Sequence, residues 1–275
     1  MSAAAERLSD PSLWYSTNLI GLPSRLFGST TFNDHPQPVT IHGTRETHPG
    51  LFRLLALCAS QQEAAEVFEH YMQLQFGLGK PQAEDSPAER RRFKTSYLKL
   101  LQGWGFDANN AQGAVLKGWV ESRFGMPPIF HKGALDRFPS AAWTGYLEEK
   151  MNSRFHNNCI NLQLDVLFEY CQWSLTRFAA SGRPTLTLWR GTNNCEEQLV
   201  EGSLRQRDCV MRLNNLVSFS QSAERAGEFG DWTLETEVPR VKLLFFPGLL
   251  RDRVLNGEGE VLAIGGCYRV HARYG

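Results

Sequence analysis

The carboxylates in the most suggestive setting are Glu258 and Glu260, two residues apart in Gly257-Glu258-Gly259-Glu260-Val261-Leu262. A glycine-rich turn precedes them and an apolar strand begins at once after them. They therefore stand at a strand mouth, where a site can form. Upstream, Thr187-Leu188-Trp189-Arg190-Gly191-Thr192 reads as an apolar strand ending in Arg-Gly. Between the two, Leu216-Val217-Ser218-Phe219-Ser220 reads as a strand edge with both serines on one face, because side chains two apart share a side. Together these segments offer a fixed cation, two hydroxyls and two carboxylates. Each alone is ordinary, since an Arg at a strand end, a Ser-x-Ser and a Glu-x-Glu usually just face solvent. Glu235-Thr236-Glu237 repeats the Glu-x-Glu spacing without the glycine-rich turn, and fits a solvated face.

Read in order, Arg190, then Ser218 and Ser220, then Glu258 and Glu260 resemble the R-S-E class of mono-ADP-ribosyltransferases. The segment after the serines, Ser222 to Gly230, is also similar to that class. Tyr15-Ser16-Thr17-Asn18-Leu19-Ile20-Gly21-Leu22-Pro23, Phe32-Asn33-Asp34-His35-Pro36 and Ile41-His42-Gly43-Thr44-Arg45-Glu46 extend the resemblance over nearly the whole chain. They resemble one branch, the NAD–dinitrogenase reductase ADP-ribosyltransferases, which regulate nitrogenase. One departure is Phe219, where many relatives have Thr. It lies on the strand face opposite Ser218 and Ser220.

The resemblance implies transfer of ADP-ribose from NAD to an arginine of dinitrogenase reductase, which would switch nitrogen fixation off. The departing nicotinamide leaves a ribosyl cation-like centre, so negative charge is needed near it. By resemblance, Glu260 would stabilise that centre through the ribose 2′-hydroxyl, and Glu258 would engage the acceptor guanidinium, whose planar fork a carboxylate matches. Arg190 would hold the NAD phosphates and Gly191 would admit the nicotinamide amide close to the backbone. Ser218 would contact the nicotinamide ribose and orient Glu260, with Ser220 in support. Asn215 would contact the ribose or a phosphate. Phe229 would stack on nicotinamide, unless it is a core residue beside Ala226. The 248–257 loop, with Arg251, Asp252 and Arg253, would help select the protein substrate. Regulation by a PII-type signalling protein and reversal by a separate glycohydrolase are implied too. Two alternatives stay open: an arginine transferase with another protein target, and a non-catalytic NAD-binding sensor module.

The elements that must position these residues are legible in outline. The first 48 residues are rich in Pro, Ser, Thr, Gly and Asn, and read as a mostly irregular lead-in with a short helix. From Pro49, apolar residues recur at helical spacing, from Leu51 to Tyr71. A second helix is expected after Ser86-Pro87, and a third capped by Asp107 and stopped by Gly125. The stretch from Ser140 to Ala179 reads as two helices interrupted at Asn157-Asn158. After Pro184 the texture changes to strands: Thr185–Trp189, Leu216–Ser220, Thr233–Val238, Val241–Phe246, Val261–Ile264 and Cys267–Ala272, with one short helix over Ser222–Phe229. Helices and strands segregate, so the fold class is α+β, not doubly wound. The expected division is a mainly helical 1–180 packed on a β-rich, NAD-binding 181–275, with a mixed sheet of ADP-ribosyltransferase type. Trp104, Trp119, Trp143 and Trp173 read as packing residues, and the run Arg90-Arg91-Arg92 as a solvated helix face.

Composition bounds the alternatives. At 275 residues, length allows about two domains or one large one. Lys plus Arg and Asp plus Glu are both 29, split 17 and 17 before Ser181 and 12 and 12 from there on. Neither half is a polycation, which argues against a nucleic-acid partner. No apolar run approaches the ~20 residues of a membrane span, and the first ten residues lack the apolar core of a secretory signal. The six cysteines have irregular spacing and no C-x-x-C, as for free thiols in a cytoplasmic protein. The seven histidines suggest no metal site.

Overall fold

The computed structural model describes residues 17–78, 87, 95–156, 159–178, 182–193, 195–251, 255 and 259–275. The described part of the lead-in, 17–48, is more regular than its composition suggested. It forms three short helices, α1 (Ser24–Phe27), α2 (Thr30–Asp34) and α3 (Thr44–Thr47). Ile20, Phe27, Phe32, Val39 and Ile41 are all buried in the main core. Pro and Gly set the turns, but the apolar residues between them decide where the chain lies.

Helices α4 (Pro49–Leu55) and α5 (Gln61–Phe76) follow. Ser60 caps α5 by accepting from Glu63 N, while Glu63 Oε2 reaches back to Ala59 N. Gly77, in the left-handed region at φ 62°, closes it. The expected Ser86 cap lies outside the described residues. Next come α6 (Tyr97–Phe106) and α7 (Ala111–Phe124). The cap of α7 is Asn110, not Asp107, because Asp107 Oδ1 is already used by Asn109 N in the preceding turn. Gly125 ends α7 as expected.

Ser140 caps α8 (Ala141–Lys150), which stops earlier than expected and is followed by α9 (Ser153–His156) and α10 (Ile160–Phe178). Asn157 and Asn158, the expected break, lie outside the described residues. Helix α10 is buried on most of its circumference and carries polar side chains that tie the helical layer together. Asp165 accepts from Trp119 Nε1 at 2.7 Å and from Arg123 Nε and Nη2 at 2.8 and 2.9 Å. Glu169 accepts from Ile41 N at 2.6 Å and Arg45 Nε at 2.5 Å. Burial raises the Glu169 pKa even against Arg45. Gln163 Oε1 accepts from Tyr97 N at 3.0 Å, satisfying a donor at the start of α6 that no cap side chain reaches.

The strands are β1 (Thr185–Thr192), β2 (Leu199–Gly202), β3 (Asp208–Ser220), β4 (Trp232–Pro239), β5 (Leu243–Phe245) and β6 (Glu260–Tyr274). Every described pairing is antiparallel, so the sheet is not the mixed one expected. Parallel neighbours would need long crossovers, and the connections here return each strand beside an opposed one. β3 and β6 pair from Asp208↔His271 to Ser220↔Glu260. β6 then meets β4, β4 runs beside β1, and β1 touches β3 at the single pair Trp189↔Ser220. The order β3–β6–β4–β1–β3 thus closes on itself.

The two segments expected as separate strands, 261–264 and 267–272, are one strand. Gly265 and Gly266 bend it where β3 bulges between Leu213 and Leu216. A Cβ on Gly265 would lie 1.7 Å from Asn214 O. Gly266, at φ 113°, lets the lead-in approach, and Cys267 N donates to Gly28 O at 2.7 Å. The short helix expected after the serines is α11 (Ala223–Gly227), capped by Ser222. One buried apolar cluster includes residues from the lead-in, the helices and the sheet.

Candidate active site

The β3–β6 register places Ser220 opposite Glu260 and Ser218 opposite Leu262, so both serines and Glu260 share one face. Ser218 Oγ donates to Glu260 Oε1 at 2.7 Å. Phe219 points to the other face, where it is buried and lies 6.0 Å from the Tyr268 ring. Arg190 Nη1, from the adjacent β1, donates to Ser218 O at 2.8 Å. Burial lowers the Arg190 pKa and the Glu260 carboxylate opposes that shift. A guanidinium titrates so high that it stays a cation at neutral pH. Arg190, Ser218 and Glu260 therefore form one cluster of a cation, a hydroxyl and an anion at the seam where β1 meets β3.

Gly191, which follows Arg190 on β1, lies beside Phe229. A Cβ on Gly191 would sit 1.8 Å from Ala226 O and 3.1 Å from Phe229 Cβ. The glycine lets the backbone of α11 lie directly on β1. Phe229 is 71 % exposed, so it is no core residue. It lies just past the end of α11, beside Gly191. Ser220 Oγ accepts from Ser222 N at 3.0 Å and shapes the turn into α11.

One expected residue, Asn215, stands apart from this cluster. Asn215 is 2 % exposed, and its Nδ2 donates to Lys117 O at 2.9 Å and Met126 O at 2.8 Å. Both amide protons are thus committed to the helical layer, and Asn215 fastens the bulge of β3 to α7 rather than facing the cluster. Glu258 lies outside the described residues, as do Asp252 and Arg253. Glu235 and Glu237, which repeat the Glu-x-Glu spacing, are occupied by cross-strand bonds. Glu237 accepts from Thr185 and Thr187 hydroxyls at 2.6 and 2.5 Å, and Glu235 from Trp189 Nε1 and Arg273 Nη2 at 3.2 Å each. They line a groove of about 580 Å³ with Asp34, Arg269 and His271, which includes none of Arg190, Ser218 or Glu260.

The helical half contributes a residue that sequence reasoning assigned to packing. Trp104, from α6, is 4 % exposed, and its Nε1 donates to Ser218 Oγ at 2.8 Å. Behind it, the Lys117 ammonium lies 5.8 Å from the Trp104 ring centroid. Lys117 donates to Asn109 Oδ1 at 2.9 Å and Phe130 O at 3.1 Å, and lies 3.3 Å from His131 Nδ1. Burial is the main cause that lowers its pKa to about 8. No sequence pattern marks Trp104 as a site residue, because its bond to Ser218 crosses from one half of the chain to the other.

No helix among the described residues is long and apolar enough to cross a membrane. Among the same residues, no three His, Cys, Asp or Glu side chains cluster as a metal site would require. No solved structure matches the chain. The family described as dinitrogenase reductase ADP-ribosyltransferase matches residues 17–272. A curated relative from Rhodospirillum rubrum, NAD(+)–dinitrogen-reductase ADP-D-ribosyltransferase, is 49% identical over 267 residues, covering 96% of this chain and 97% of its own. With a match of that extent and the Arg190–Ser218–Glu260 cluster in place, this chain belongs to the dinitrogenase reductase ADP-ribosyltransferase family.

Proposed function

We propose that this chain transfers ADP-ribose from NAD to an arginine of dinitrogenase reductase and so switches nitrogen fixation off. The observation that carries the reading is the 2.7 Å bond from Ser218 Oγ to Glu260 Oε1, with Arg190 bonded to the same serine's carbonyl. It supplies an oriented carboxylate and a nearby fixed cation, the two charges the reaction asks for. The extent of the match to the Rhodospirillum relative supports the choice of donor and target.

In this reading the bond between nicotinamide and C1′ of the ribose breaks, and its electron pair leaves with nicotinamide. Glu260 stabilises the positive charge that develops on the ribose. Arg190 pairs with the diphosphate oxyanions. Phe229 and the Gly191 backbone receive nicotinamide. An arginine nitrogen of the acceptor then forms the new bond to C1′ and gives up one proton. Glu258 holds that guanidinium and helps take the proton. The helical region and the sheet work as one unit, and a PII-type signalling protein regulates it.

The test is label transfer from NAD carrying radiolabelled adenylate to purified dinitrogenase reductase, with the parent and Glu260→Gln side by side. Label on the target with the parent alone, released by cleavage specific to ADP-ribosyl-arginine, is the expected result. Label on other proteins but not on this one would move the target elsewhere. Absence of any turnover, with NAD still bound and PII protein and nucleotides varied, would favour a sensor module.

A further inference from the structure

Ser218 is held from two sides. Its Oγ donates to Glu260, and the same atom accepts from the Trp104 indole. An indole N–H can only donate. Trp104 therefore takes a lone pair of the serine and leaves the serine's single proton for the carboxylate. The direction of the relay, indole to hydroxyl to carboxylate, follows from the donor inventory alone.

The indole is itself fixed. Gln163 accepts from the N–H of Tyr97 at the start of α6, and Asn110 Nδ2 donates to Gly103 O at 2.7 Å near its end. A Cβ on Gly103 would come within 2.6 Å of Gln112 Cγ, so α6 and α7 touch closely just beside Trp104. The Lys117 ammonium holds the ring from behind. A tryptophan needed only to fill space would not require its one polar atom to end on the serine that bonds Glu260.

We infer that Trp104 is a positioning residue for catalysis: its indole N–H fixes the Ser218 hydroxyl, and through it the orientation of Glu260 at the reacting ribose. The inference rests on the proposed role of Glu260. It makes the helical layer a supplier of active-site geometry as well as of core.

The test measures ADP-ribose transfer to dinitrogenase reductase by the full-length parent, Trp104→Phe, Ser218→Ala and the double variant. Trp104→Phe lowers kcat about three- to tenfold and leaves KM for NAD within about twofold, as the loss of one neutral hydrogen bond predicts. Ser218→Ala lowers kcat more, roughly tenfold to a hundredfold, since its bond is to a charged group. The double variant is no slower than Ser218→Ala, because the indole then has nothing to position. A second replacement keeps the test decisive if phenylalanine disturbs the core: β-(3-benzothienyl)alanine at position 104 preserves the bicyclic shape and removes only the N–H, and it shows the same loss. A parental kcat in that variant, or losses from Trp104→Phe and Ser218→Ala that multiply, would overturn the inference while leaving Glu260 in place. A Glu260→Gln protein with parental transfer would overturn the role of Glu260, and this inference with it.

Discussion

Ser218 and Glu260 lie 42 positions apart in the chain, yet their side chains meet at 2.7 Å because β3 and β6 run antiparallel in a register that pairs Ser220 with Glu260. The carboxylate is thus placed by sheet geometry and aimed by a hydroxyl. Replacing Glu260 with Gln keeps the shape and one acceptor but removes the charge. Transfer falls on the order of 10²–10³-fold, while NAD affinity, read by calorimetry, changes only a few-fold. Equal losses in both would mean that Glu260 binds the donor rather than promoting the reaction.

Phe229 offers a sharper separation of binding from folding, because it is 71 % exposed. Phe229→Ala changes stability by no more than about 0.5 kcal/mol, as for other surface positions. Ring-on-ring stacking worth about 1–3 kcal/mol is lost with it, so KM for NAD rises roughly five- to a hundredfold. A stable variant with the parental KM would remove Phe229 from the site.

Gly191→Ala is expected to act on both. The new methyl would meet the Ala226 carbonyl at 1.8 Å, and that partner is backbone, which cannot swing aside. The protein loses about 1–3 kcal/mol of stability in chemical denaturation. NAD binding weakens with it, because α11 must lift from β1 and carry Phe229 away.

Lys242 provides a pH prediction away from the site. Its side chain is fully buried over the rings of Phe27, Phe32 and Tyr268, at 4.9, 5.5 and 5.1 Å. Among the described residues its ammonium has no hydrogen-bond partner. Burial lowers its pKa from 10.5 to about 7. Between pH 7 and 10.5 the unfolded chain binds a proton that the folded chain does not, so this group makes stability rise with pH across that window. Below about pH 7 the full cost of the buried charge is present. Lys242→Met therefore melts higher than the parent at pH 6, and the gap narrows toward pH 10. A gap that stays constant with pH would show that Lys242 does not titrate in this range.

The candidate site residues were readable where a motif is local to a strand. Arg190, Ser218 and Glu260 each sit in an apolar run that announces its own conformation, and the structure brings them together. Asn215 shows the limit of that logic. It was placed at the site because it precedes the serines, but the bulge between Leu213 and Leu216 turns its amide toward Lys117 and Met126. Trp104 shows the opposite failure, since 114 positions separate it from its serine and no periodicity encodes such a contact. The lead-in was misjudged because Pro, Ser, Thr, Gly and Asn are frequent in it, while Phe27 and Phe32, which bury it, are few. The first half of β3 escaped notice because Arg212, Asn214 and Asn215 interrupt its alternation, and Asn is a poor strand former.

The bend at Gly265 and Gly266 has a bearing on Glu260 five positions away. A strand has only two phases, and a slip of one residue exchanges them, turning every inward side chain outward. On β6 the phase is pinned where Gly265 meets Asn214 too closely for any side chain, and where Gly266 receives the backbone of Gly28. Glu260 faces the serines because the register held from that mark pairs it with Ser220. An inserted or deleted residue anywhere between 261 and 264 would leave both ends of the strand intact and still point the carboxylate into the core.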